Sequence, residues 1–343
     1  MAAQLIQNVF ENGNKRNDSL VESEMSLIRT DNEPWTSAIS PLTLGTVQLG
    51  MPYGIANQLG QPDEEMAGRI LDAAMNGGIT CLDTASAYGS AEQVLGRYFQ
   101  QQARAATIIT KFTLHVNQAT TLSDLEAQIE ESVNRSMERL QTDCLPAVLL
   151  HRPNVLGQFG KQVTELLCKQ VKRGNIGTIG ASLLSFDAQE FAENWRELQD
   201  DCYEIVQVPM NVMDRRMFAN GTFEQLRRSN KKLFARSIYL QGLFFMKPEA
   251  LQERLKPAEP WLVRLHAFAE QEGMSVAEFA FSYIHHMPGI ASIVFGAETP
   301  DQVSANIALL STPAIRERTM HELALQFAQV PDYVITPNLW EGK

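Results

Sequence analysis

From about residue 37 onward, short apolar runs rich in β-branched residues alternate with stretches whose apolar positions recur at helical spacing. Eight such runs are present: TLGTVQLG (43–50), TCLDTAS (80–86), TIITKF (107–112), AVLLHRP (147–153), TIGASLL (178–184), IVQVPMN (205–211), LFARSIY (233–239) and SIVFGA (292–297). Each reads as a buried strand. The segments between them carry helix signals. PDEEMAGRILDAAMNGG has acidic residues in its first turn and a glycine pair as its stop. SDLEAQIEESVNRSMERLQ opens on a capping-box pattern, with SDLE supplying the cap. Strand-helix periods of about 25 to 60 residues are architectural repetition and not a solenoid repeat. Eight units predict a closed (β/α)8 TIM barrel of parallel strands. The rival doubly wound sheet would carry a glycine-rich GxGxxG turn after a strand, and none is present.

The pattern also sets boundaries. Residues 1–36 are polar, lack either period and predict a mobile extension. Residues 37–343 predict a single barrel domain with a C-terminal helix and tail. SAIS (37–40) is expected to contribute to an N-terminal hairpin closing the barrel floor, and the long interval 240–291 has room for a loop over the mouth and extra helices. Tyr333 and Trp340 in the tail either fold over the mouth or pack on the outer helices.

Composition narrows the class. The 343 residues are 44% apolar and carry a net charge of −11, which supports a large core and argues against a nucleic-acid partner, since no basic surplus displaces counterions. No apolar run is long enough to span a bilayer and the N-terminus lacks a signal-peptide core, so a cytoplasmic protein is expected. Cys81, Cys144, Cys168 and Cys202 are scattered and predict free thiols, without a disulfide framework or a zinc site. His285-His286 has no third ligand at a suitable spacing, and no metal site is expected.

Candidate chemistry clusters at strand ends. Asp83, Tyr88, Lys111 and His151 follow three successive strands, where a barrel of this type builds its active site. Taken singly, each has an ordinary structural reading as a turn cap, a loop-packing ring, a strand terminus or a satisfied histidine. As a set they suit protonation of a carbonyl oxygen during hydride delivery. Tyr88 would give the proton, Lys111 would ease its release, Asp83 would hold the ammonium, and His151 would donate a hydrogen bond to the carbonyl oxygen.

The segments DTASAYGSAEQVLG (83–96), TKF (110–112) and LLHRP (149–153) resemble the aldo-keto reductase superfamily, and the resemblance runs from about residue 42 to 310. It implies a (β/α)8 barrel that binds a nicotinamide dinucleotide without a Rossmann domain, and it makes Asp83, Tyr88, Lys111 and His151 the catalytic tetrad. Histidine at 151 accords with carbonyl chemistry, because members reducing carbon-carbon double bonds carry Glu there. Carried over by position, Gly45 and Thr46 approach the nicotinamide ribose, and Ser182 and Gln207 bind its carboxamide. Ser237, Leu240 and Gly242 form the pyrophosphate loop, while Gly296, Ala297, Gln302 and Asn306 face the adenosine end.

Three departures from the family pattern stand out. Leu183 replaces an Asn. Arg236 occupies a place where an aromatic commonly stacks on the nicotinamide ring. FGAETPDQ lacks the basic residue many members set against a 2'-phosphate and offers Glu298 instead. The resemblance therefore favours NADP(H), with NAD(H) a plausible alternative. The implied function is NAD(P)H-dependent reduction of an aldehyde, ketone or sugar carbonyl, or the reverse oxidation. The alternatives are a cofactor-binding regulatory subunit with little turnover, and an aldolase using Lys111 as a Schiff-base amine. The sequence is silent on oligomeric state.

Overall fold

Alternation within strands organises the architecture. The computed structural model describes residues 39–340, apart from 56, 58, 103 and 184–187. Eight parallel strands close on themselves in chain order: β1 (Leu42–Gly45), β2 (Cys81–Asp83), β3 (Thr107–Phe112), β4 (Leu145–Leu150), β5 (Ile176–Ser182), β6 (Tyr203–Pro209), β7 (Lys232–Arg236) and β8 (Ile290–Gly296). Strand β1 pairs with both β2 and β8, which seals the barrel.

Side chains of successive strand residues point to opposite faces. The outward set, including Leu82, Ile108, Val148, Val206, Ala235 and Ile293, merges with the surrounding helices into one large core. The inward set is small: Ile109, Ala147, Leu149, Ile205, Phe234 and Val294 fill the barrel interior. Thr43 and Ser292, buried on neighbouring strands, share a hydrogen bond of 2.7 Å between their hydroxyls. Ile39 packs against the inner layer. Beyond Ile39 and Ser40, the expected floor hairpin and the 1–36 extension lie outside the described residues.

Local chemistry explains several boundaries. Helix Glu64–Asn76 starts where Asp63 accepts from the Met66 amide. Helix Leu122–Leu140 is capped by Thr121, two residues before the Ser123 of the expected SDLE box, because Thr121 and Asp124 cap each other reciprocally. Glu126 is thereby released to pair with Lys169. Strand β1 is shorter than its apolar run. The Thr46 amide and hydroxyl both donate to the Asp83 carbonyl, at 2.9 and 3.1 Å, and Val47–Gly50 turns into a short helix. The interval 240–291 forms 3-10 turns and the helices Glu259–Glu272 and Val276–His285.

The cysteine expectation is corrected. Cys168, on helix Val155–Lys172, and Cys202, just before β6, form a disulfide, while Cys81 and Cys144 are free. Packing of that helix beside the following units brings together two residues 34 apart in sequence, with Cα atoms 6.6 Å apart. Cysteine usage therefore gives no argument for a reducing compartment. His286 bonds the Thr312 carbonyl and His285 stacks on Phe281, and no cluster suited to a metal ion occurs among the described residues. No described helix is long and apolar enough to cross a membrane. In the tail, Trp340 is buried in the outer core and donates to the Tyr333 carbonyl, while Tyr333 donates to the Arg254 carbonyl. Neither residue lines the cavity at the mouth.

Candidate active site

Strand parity carries the polar residues to the mouth. Lys111 lies two positions past Ile109, His151 two past Leu149, Gln207 two past Ile205, Arg236 two past Phe234 and Gly296 two past Val294. Each continues the inward row of its strand beyond the apolar plug. Lys111 is fully buried and its ammonium lies 2.7 Å from the Asp83 carboxylate. It also donates to the Thr84 carbonyl at 2.9 Å and sits 5.0 Å from the centre of the Tyr88 ring. The Tyr88 and His151 rings meet edge to face at 5.7 Å. The four expected catalytic residues thus form one contiguous group.

Its surroundings fix each member. Gln207 donates to Asp83 at 2.7 Å and accepts from the Ser182 hydroxyl at 3.3 Å. Both are buried behind Asp83 and neither is among the residues lining the cavity. The tyrosine loop is held from two sides. Arg139 donates to the Ser86 carbonyl and to the buried Glu92, which also accepts from Thr110. On the other side Gly50 lies so close that an added Cβ would stand 1.8 Å from the Tyr88 carbonyl oxygen. Burial, followed by the charges of Lys111, Arg236 and Arg152, pushes the His151 pKa down to about 3. The imidazole is neutral at physiological pH.

A cavity of about 450 Å³ opens beside this group. Asp83 and Tyr88 line it together with Gly45, Arg236, Ser237, Gly242, Gly296, Glu298, Gln302 and Asn306 from the expected cofactor set. Thr46, Leu240 and Ala297 are buried behind its wall. The loop after β7 is conformationally unusual: Ser237, Leu240 and Gln241 have φ of 62°, 46° and 55°, followed by Gly242 at 92°. Non-glycine residues held in this region store strain, which is concentrated at functional sites. Burial raises the Glu298 pKa.

The lining residues outside the expected set include three polar ones, Gln48, Tyr53 and Gln241. Gln241 donates to the Tyr53 hydroxyl at 3.2 Å, joining the loop after β7 to the segment after β1. Gln241 carries a readable signal, since it precedes a glycine in a short polar break between apolar residues. Gln48 was hidden inside a run that reads as strand.

The Aldo/keto reductase family profile matches residues 41–324. The chain belongs to the aldo/keto reductase family. This family membership makes the chain an oxidoreductase, and the eight-stranded barrel agrees with it. Among characterised relatives, aldo-keto reductase YhdN of Bacillus subtilis is 25% identical over 288 residues, covering 78% of this chain and 83% of that protein. Solved aldo-keto reductases share the fold. AKR11C1 from Bacillus halodurans, in its holo form, superposes with a TM-score of 0.66 at 21% identity, covering 86% of this chain and 95% of that one. The glycerol dehydrogenase AKR11B4 from Gluconobacter oxydans gives 0.65 at 20%, covering 88% and 94%. A Klebsiella pneumoniae aldo/keto reductase, solved in complex with NADP and acetate, gives 0.62 at 20%, covering 86% and 93%.

Proposed function

We propose that this aldo/keto reductase is an NAD(P)H-dependent reductase of aldehyde, ketone or sugar carbonyls, with Tyr88 as general acid and, in the reverse direction, general base. The observation that carries the reading is that Tyr88, backed by the buried Asp83–Lys111 pair, lines the same cavity as Gly45, Ser237, Gly242, Gly296, Gln302 and Asn306.

The cavity wall suits a dinucleotide. The side-chain oxygen of Gln48 is buried without a partner among the described residues, and its amide rests over the exposed backbone of Gly296, 2.2 Å from where a Cβ would stand. Such an orphaned acceptor and a side-chain-free strand end accommodate a polar ligand pressed against the backbone. Gly45 would serve the nicotinamide end, with Thr46, Ser182 and Gln207 buried behind the wall there, Ser237 to Gly242 the diphosphate, and Gly296 to Asn306 the adenosine. When bound, the reduced nicotinamide supplies the hydride. NADP(H) is the cofactor favoured by the family and by its presence in the Klebsiella relative. Glu298 on the same wall keeps NAD(H) in contention.

The protein's own groups handle the proton. His151 is uncharged, so it donates a hydrogen bond to the carbonyl oxygen without being the source of the proton. Tyr88 then delivers its phenolic proton to that oxygen. Lys111 stabilises the negative charge left on Tyr88, and Asp83 offsets the cost of burying that ammonium. The test is Tyr88→Phe, with NADPH oxidation measured against a panel of aldehydes and sugars and NADPH binding followed by fluorescence quenching. Turnover is expected to fall by roughly 10²–10⁴-fold, the worth of a positioned acid, while binding persists. Undiminished turnover would remove Tyr88 from the mechanism. Tight binding with no turnover in the parent protein would point instead to a regulatory, cofactor-sensing subunit.

A further inference from the structure

Among the described residues, Arg236 is a cation without an acid. It ends β7, continues the inward row past Phe234, and lines the cavity with Asp83 and Tyr88. Its guanidinium donates to the Leu183 carbonyl at 2.9 Å and to the Ser237 hydroxyl at 3.2 Å, and both acceptors are neutral. Among the described residues, no carboxylate lies within ion-pair distance of it. Lys111, Arg139 and Arg216 are paired with Asp83, Glu92 and Asp214, whereas Arg215 donates to the Tyr283 hydroxyl and stacks on Phe218 away from this cavity. Scarcity of acids is not the cause, since the chain carries 40 acidic against 29 basic residues.

A part-buried guanidinium with no countercharge is costly unless something anionic completes it. The two neutral acceptors hold its plane while leaving donors free, and a guanidinium fork matches a carboxylate or phosphate. The main-chain carbonyl of Leu183 orients the Arg236 side chain. The next residue, Ser237, is held at φ 62°, which fixes the arginine and serine as a unit. Arg236 stands at the reacting end of the cavity. Its charge acts on His151, whose ring packs on Tyr88.

We propose that Arg236 binds an anionic oxygen group on the substrate itself, so that the preferred substrates are carbonyl compounds bearing a carboxylate or phosphate. This deepens the carbonyl-reductase reading and rests on it. Matched pairs test it with NADPH: succinic semialdehyde against butanal, glucuronate against glucose, and glyceraldehyde phosphate against glyceraldehyde. The first two pairs report carboxylate and the third phosphate.

In the parent protein kcat/KM for the anionic member of at least one pair is expected to exceed its neutral partner tenfold or more. In Arg236→Met that ratio falls by about tenfold to a hundredfold, the span of one charged hydrogen-bonded contact, and the change resides in the substrate KM. Arg236→Lys restores part of the ratio and guards against misfolding of the first variant. Equal kcat/KM within every pair would overturn the proposal. So would a preserved ratio in Arg236→Met accompanied by weakened NADPH binding, which would assign the guanidinium to the cofactor.

A measurement independent of turnover separates this proposal from the parent reading. Calorimetric titration of the NADP-loaded protein with succinate and with succinamide is expected to show binding of the acid alone, lost in Arg236→Met. If no carbonyl were reduced, the reductase reading would fall while the titration still decided the role of Arg236. Failure of succinate and of inorganic phosphate to bind, in a protein that does reduce carbonyls, would refute the anion site alone.

Discussion

His151 offers a quantitative test of the electrostatics at the mouth. Burial and the cations Lys111, Arg236 and Arg152 hold its pKa down to about 3, whereas the unfolded chain titrates near 6.5. Below pH 6.5 the unfolded chain therefore gains a proton that the native protein declines. Stability from this site is complete above that pH and is lost progressively as the pH falls toward 3. Between pH 8 and pH 5 the loss is roughly 2 kcal/mol, from ~1.36 kcal/mol per tenfold change over the ~1.5 pH units below the unfolded value. The assay is urea unfolding of the parent protein and of His151→Gln at both pH values. Glutamine keeps an N–H donor but cannot titrate. Other groups, such as Glu224 and Asp124, whose carboxyls are also held below their usual range, contribute equally to both proteins and cancel. The variant is expected to lose about 2 kcal/mol less than the parent on acidification. Identical losses would refute the claim that the imidazole is held neutral in the fold, and with it the assignment of His151 as a neutral hydrogen-bond donor.

Two further outcomes follow from particular contacts. Gly50→Ala forces a methyl group against the Tyr88 carbonyl and the Ala91 amide, at 1.8 and 2.5 Å before relaxation. Displacement of the tyrosine loop should lower kcat by at least about tenfold and stability by about 1–3 kcal/mol, read from steady-state rates and thermal unfolding; unchanged values would show that the loop yields freely. Glu298→Gln removes a carboxylate from the cavity wall and is expected to tighten NADPH more than NADH in fluorescence titration. Equal changes for both would show that Glu298 does not face the 2' position.

Periodicity was sufficient for the architecture because each strand of a parallel barrel is buried on both faces and must be written in apolar residues, while each intervening helix shows its own period. Each of the eight runs overlaps a barrel strand. The tetrad was legible for a related reason: its members follow strand ends, and strand parity decides which of them turn inward. What local pattern could not give was competition between alternatives. Thr121 outranks Ser123 as a cap because its partner Asp124 completes a reciprocal pair. The run from Thr43 to Gly50 stops being a strand at Thr46 because that residue bonds Asp83, a neighbour on the next strand.

By itself, then, the amino-acid sequence determined the closed eight-stranded barrel, the family and the grouping of Asp83, Tyr88, Lys111 and His151 at the strand ends, since these depend on residue type and on spacing along the chain. Tertiary structure decided the rest. The Cys168–Cys202 bond, the link from Gln207 to Asp83 across 124 positions, the hydrogen bond of Gln241 to Tyr53 across the cavity wall, and the bond from Arg236 to the Leu183 carbonyl are all contacts between distant segments. Whether a buried charge has a partner is a property of the three-dimensional neighbourhood, and no periodicity along one strand encodes it.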